Sequence, residues 1–139
     1  MEIGRKYTYF DYAEQDYLFL IDDYERGKVG NLMATSAQNT CERYFKHIIE
    51  IAVEPQNKEE SVYKAEILRT HSLTKLMAFI EAQNIYTFTT ADRRLIKSTD
   101  GYCFSTRYPG DDSIMVTKED VDDCMDALER CRSITIEMN

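Results

Sequence analysis

Helix breakers are scarce in this sequence, with 2 prolines and 5 glycines among 139 residues. Long helical runs therefore meet few interruptions. No apolar stretch approaches the roughly 18 residues that span a bilayer, and the MEIGR start carries no apolar leader-like segment. The expectation is a cytoplasmic protein without a membrane partner. The 4 cysteines, Cys41, Cys103, Cys124 and Cys131, are too widely spaced for a zinc knuckle or a Cys-x-x-Cys redox pair. Cys124 and Cys131 share a helical face but lie about 10 Å apart along the axis, beyond disulfide reach. All four are expected to act as small buried hydrophobes. No cofactor or metal site is indicated. Basic residues are also in the minority, 17 against 25 acidic, and the net charge of −8 repels a nucleic-acid backbone outside a local basic patch. The best such patch, Arg93 and Arg94 with Lys97, reads as a solvated helix face.

Hydrophobic residues make up 43% and charged residues 30%, the balance of a folded globular chain rather than a disordered one. The length suits a single domain over residues 1–139, large enough to bury about two-thirds of the surface of its unfolded form.

Periodicity places the elements. Ala13, Tyr17, Leu20, Ile21 and Tyr24 form a helical stripe within residues 11–26, which Gly27 ends. Residues 31 to about 53 repeat the pattern through Met33, Ala37, Cys41, Tyr44, Phe45 and Ile48. Pro55 and the polar residues after it form a link, with a short helical stretch over 61–69. Ser72 caps a third main helix ending near Asn84. Residues 85–91 alternate like a strand, but a lone strand has no partner, so they read as a connector. Thr89 or Thr90 caps a fourth helix that continues past Gly101 to Tyr102 and Cys103. A turn at Pro109–Asp112 follows, and Thr117 caps the last helix with Glu119 and Asp120 in its first turn. The fold expected is all-α, an up-and-down bundle of four to five main helices.

Few side chains offer chemistry. Glu42 and Lys46 stand i, i+4 in the favoured order, with Arg43 and His47 on the neighbouring stripe, and all four read as a solvated or interface face. His71 sits at a helix entrance, suited to holding a loop and titrating near neutrality, although no partner for it is visible in the sequence. Arg107 can hold a carboxylate or phosphate bidentately beside the stacking face of Tyr108, or can pair with Asp111, Asp112 or Asp120. Ile48, Ile49 and Ile51 surround the second helix more widely than one bundle face needs, which points to self-association.

Four segments, in order, carry a resemblance: Asp16-Tyr-Leu in the first helix, the AQNTCERYFK run over 37–46, HSLTKL over 71–76 and Arg107-Tyr-Pro109. Together they resemble the HEPN-domain family of small helical bundles, related to proteins that accompany nucleotidyltransferases. In that family the His-x-Leu pattern recurs as a helix-start feature. The resemblance implies a homodimer that assists a nucleotidyltransferase partner or binds a nucleotide-like ligand. Arg107, Tyr108, His71, Arg43 and Lys46 are the ligand-binding candidates. Its ribonuclease branch, with toxin–antitoxin members, needs an arginine, four to six residues and then a histidine. Here Arg43 precedes His47 by too few residues, Arg69 precedes His71 by one, and no histidine follows Arg107. An aspartate in its place is a poor general acid at neutral pH. No catalytic residue is therefore assigned. A diverged, toxin-like, metal-independent endoribonuclease and a purely structural dimerisation module are the alternatives.

Overall fold

The computed structural model describes residues 6–101 and 115–139. Among these residues the chain forms six α-helices and no strand: α1 (Tyr9–Glu25), α2 (Asn31–Ala52), α3 (Lys58–Leu68), α4 (Leu73–Ala82), α5 (Thr90–Ser98) and α6 (Lys118–Met138). The all-α architecture is that expected. The turn at Pro109–Asp112 and the residues Tyr102 and Cys103 lie outside the described residues.

Side-chain caps set most helix starts. Thr8 and Asp11 close a capping box at α1, and Thr117 and Asp120 do the same at α6. Asn57, Ser72 and Thr89 accept from the third backbone N–H of α3, α4 and α5. Two of these starts differ from expectation. Helix α1 begins two residues before Asp11, and α3 begins at Lys58 inside the stretch read as a polar link. Gly27, at φ +80°, ends α1: its N–H donates to Tyr24 and that of Lys28 to Asp23. Asn84, at φ +57°, closes α4 in the same way, with bonds to Glu81 and Ile80, so this helix stops at Ala82. Helix α5 stops at Ser98 rather than running past Gly101, which takes φ +91°, a left-handed conformation no α-helix continues.

Helix α2 is the axis of the bundle. It packs on α1, α4 and α6, while α5 packs on α6 and α4. Tyr44, Phe45, Ile48 and Ile49 of α2 meet Leu76 and Ile80 of α4 and Leu128 and Ile134 of α6 in one core. Each fully buried aliphatic or aromatic side chain contributes about 1.5–3 kcal/mol. Three neighbours explain why α2 is apolar on more than one side. Ile48 and Ile49 are core residues, and of the three isoleucines expected at a dimer seam Ile51 alone is exposed. Cys41, Cys124 and Cys131 are buried free thiols within this core. The connector between α4 and α5 is anchored by Phe88, which is buried with its ring 5.4 Å from that of Phe45.

Helix α3 buries none of its residues. It leans on α4 through the rings of Tyr63 and Phe79, 5.4 Å apart, and Lys64 donates to the carbonyl of Val53 at 2.8 Å. Among the described residues no helix is long and apolar enough to cross a membrane.

A buried charged cluster as candidate functional site

The stripe Gln38–Glu42–Lys46 on α2 faces the loop that opens α4. Spacing of four residues puts these side chains one above another on the helix. Of the four residues read as a solvated or interface face, Glu42, Lys46 and His47 are buried rather than solvated, as is Gln38, and Arg43 alone is partly exposed. Helix α4 and the His71 loop supply the cover. His47 is held separately, its Nε2 2.9 Å from Oδ1 of Asn139 and its ring 5.3 Å from that of Phe10.

His71 has the partner that the sequence did not reveal. Its Nδ1 lies 3.0 Å from Oε1 of Glu42, whereas Lys46 Nζ stands 3.9 Å from the same oxygen. Gln38 Nε2 donates to the carbonyl of His71 at 2.9 Å and lies 3.4 Å from Oε2 of Glu42. The histidine is thus fixed at both ends of its residue, and its side chain is 57% exposed while that of Glu42 is 3% exposed. Burial pushes the Glu42 carboxyl above the ordinary carboxylate range, against the opposing pull of His71 and Lys46. Burial likewise pushes the Lys46 ammonium below its ordinary value, although Glu42 opposes it. The contacts around these two groups do not offset their desolvation.

The loop is held from the other side by Asp100. It accepts from the backbone N–H groups of Leu73 and Thr74 at 2.9 and 3.1 Å, and from the hydroxyls of Thr74 and Ser72 at 2.7 and 3.2 Å. Desolvation acts to raise its carboxyl, but these donors outweigh it and hold the group below the ordinary range. The first turn of α4 is thereby capped twice, by Ser72 and by Asp100. His71, Ser72, Lys75 and Asp100 line a depression of about 400 Å³.

The expected ligand residues do not converge on one point. His71 and Lys46 meet on Glu42, with Lys46 behind the carboxylate, 7% exposed, so that its contact with any ligand is indirect. Arg43 pairs with Asp16 and lines a different depression of about 470 Å³ between α1 and α2, beside Phe19 and Leu32. Arg107 and Tyr108 lie outside the described residues. In the basic patch Arg93 is engaged by Glu81, while Arg94 and Lys97 are exposed as expected. Gln38 and Asp100 were missed. The i, i+4 spacing from Gln38 to Glu42 was a usable signal, whereas nothing local connects Asp100 to a loop 26–28 residues earlier. Among the described residues no group of three or more His, Cys, Asp or Glu is placed to hold a metal.

A helical bundle with a charged cluster buried against its central helix defines the class. The profile of the HEPN domain matches residues 61–138, α3 to α6 and more than half of the chain. The chain belongs to the HEPN-domain family. No curated protein and no solved structure matches it.

Proposed function

We propose that this HEPN chain is a non-catalytic binding module of one domain, a homodimer that assists a nucleotidyltransferase partner or holds a nucleotide-like ligand. The observation that carries the reading is the Glu42–His71–Lys46 cluster, where burial outweighs pairing. Such groups are more often kept for a site than for stability, because replacing a buried ion pair by apolar side chains is often neutral or stabilising. The missing arginine-to-histidine spacing supports the non-catalytic part. HEPN domains often dimerise, and Phe19, Val29 and Leu32, respectively 68%, 47% and 79% exposed around the α1–α2 depression, support self-association there. Arg107 and Tyr108 complete the proposed ligand set with His71, while Lys46 acts from behind Glu42 and Arg43 from the separate α1–α2 depression.

Calorimetry with a nucleotide panel and co-purification with a nucleotidyltransferase test the module, with light scattering for its oligomeric state. Specific nucleotide binding or a stable complex supports it, and the absence of both removes it. A monomer at tens of micromolar removes the dimer.

The carboxylate-held imidazole of His71 favours a second reading, a diverged toxin-like endoribonuclease that uses Arg107. It requires metal-independent RNA cleavage that is lost in Arg107→Ala and in His71→Gln. Intact RNA after incubation with concentrated protein ends that reading.

A further inference from the structure

We infer that the corner between α3 and α4 is a two-part site for an adenine nucleotide, taking the phosphate at His71 and Lys75 and the base at Tyr63. The inference rests on the nucleotide-binding reading above and assigns that ligand a place. Two depressions, of about 400 and 410 Å³, adjoin there and share Thr70 and Lys75 in their walls. Together they offer a continuous surface with distinct chemistry at each end.

The first end suits a phosphate. Nδ1 of His71 is engaged by buried Glu42, which leaves Nε2 of the exposed ring for a ligand. Lys75 is exposed and in no ion pair among the described residues, so its ammonium is available as a second cation. The carboxylate at this end, Asp100, already accepts four hydrogen bonds from the start of α4. Its charge is therefore locally compensated rather than presented to an anion.

The second end suits a base. The Tyr63 ring is 56% exposed, and its packing on Phe79 holds it as a platform on which a base can stack. Arg69, exposed and in no ion pair among the described residues, adds a planar guanidinium beside it. Glu66 lines the same end, where its carboxylate can accept from an exocyclic amine. Adenine presents such an amine and uracil does not. Arg69 and Lys75 are the cations of this corner, beside the carboxylates of Glu66 and Asp100.

The test is titration calorimetry of AMP and UMP with the full chain and with Lys75→Ala and Tyr63→Ala, both at exposed side chains, with circular dichroism confirming the fold. AMP is expected to bind more tightly than UMP, and each substitution to weaken AMP by about tenfold, through a lost charge-assisted contact in one case and lost stacking in the other. AMP binding that neither variant changes, or equal binding of AMP and UMP, overturns this site and leaves nucleotide binding elsewhere on the chain intact. No nucleotide bound by the unaltered protein overturns both. An Arg94→Ala control, at an exposed cation outside the corner, is expected to leave AMP affinity unchanged, and an equal tenfold loss there overturns the assignment in favour of a general charge effect.

Discussion

Two charged networks touch α2, and they resolve the cost of burial in opposite ways. On the α1–α6 side, Arg132 grips both oxygens of Glu14 at 2.8 and 3.1 Å while the Tyr44 hydroxyl donates to the same carboxylate at 2.6 Å. The Arg132 guanidinium also lies over the Tyr17 ring at 4.5 Å. Desolvation is the largest influence on Glu14, yet the bonds from Arg132 and Tyr44 overcome it and leave the carboxyl below its ordinary range. Burial and then Glu129 push Tyr17 up to about 12, and burial and then Glu14 push Tyr44 far up, with Arg132 opposing both. On the α4 side, desolvation prevails and Glu42 stays above its ordinary range. A planar fork with two parallel bonds can compensate a carboxylate, whereas a lysine at 3.9 Å and one imidazole do not. The first network is a clamp between helices. The second keeps a group whose charge is easily changed, at the edge of a depression.

The largest expected effect comes from breaking the clamp. Arg132→Met leaves Glu14 partly buried without its fork and removes the ring contact with Tyr17. Because both partners are about 30% exposed in their side chains, the loss is set below that of a fully buried pair, at about 2 kcal/mol. Urea unfolding measures it, and a loss under about 0.5 kcal/mol would remove the distinction between the two networks.

The pH dependence separates them next. Glu14, Asp92 and Asp100 have lowered carboxyls, Asp92 chiefly through its two 2.9 Å bonds from Arg130. Their stabilisation is fully present above the ordinary carboxylate range and is lost as pH falls through their lower folded values. Glu42 has the opposite sign: its raised folded value penalises the native state as pH rises through and beyond the ordinary range. Stability measured from pH 7 down to pH 2 should therefore fall in acid, with a shallower fall in Arg132→Met, which has already lost the Glu14 share. Parallel acid limbs for the two proteins would show that Glu14 carries none of it.

The clamp and the cluster were not equally legible in the sequence, and the reason is distance along the chain. Helical periodicity and the caps Ser72 and Thr117 are local and stand where they were read, and of the two candidates Thr89 and Thr90 it is Thr89 that caps α5. Thr8 escaped because its capping box precedes the apolar stripe that begins at Ala13. Asn57 escaped because α3 buries nothing, so no periodicity marks its first turn. The continuation of α5 to Cys103 followed a spacing that Gly101 interrupts with a left-handed backbone. Glu42 and Lys46 were legible as a pair, but not as buried ones. One helix wheel cannot reveal that α2 has neighbours on three sides, nor that a histidine 29 residues on will close over it. Arg132 and Glu14, 118 residues apart, carried no local signal at all.

The smallest expected change in stability is the most telling. The double substitution Glu42→Gln with Lys46→Met removes both charges of the poorly compensated pair together, so neither is left buried alone. The side-chain oxygen of the introduced glutamine can still accept from His71 Nδ1, and methionine fills the space of the lysine stem. Because the pair gains little against its desolvation, stability should stay within about 1 kcal/mol of the unaltered chain. The decline with rising pH attributed to Glu42 should vanish with it. Nucleotide affinity should fall nonetheless, since His71 loses the charged partner that holds its Nδ1. If the double variant is instead destabilised as much as Arg132→Met and its remaining folded fraction binds nucleotide normally, the cluster is a second structural clamp. The contrast between the two sides of α2 would then be one of geometry alone.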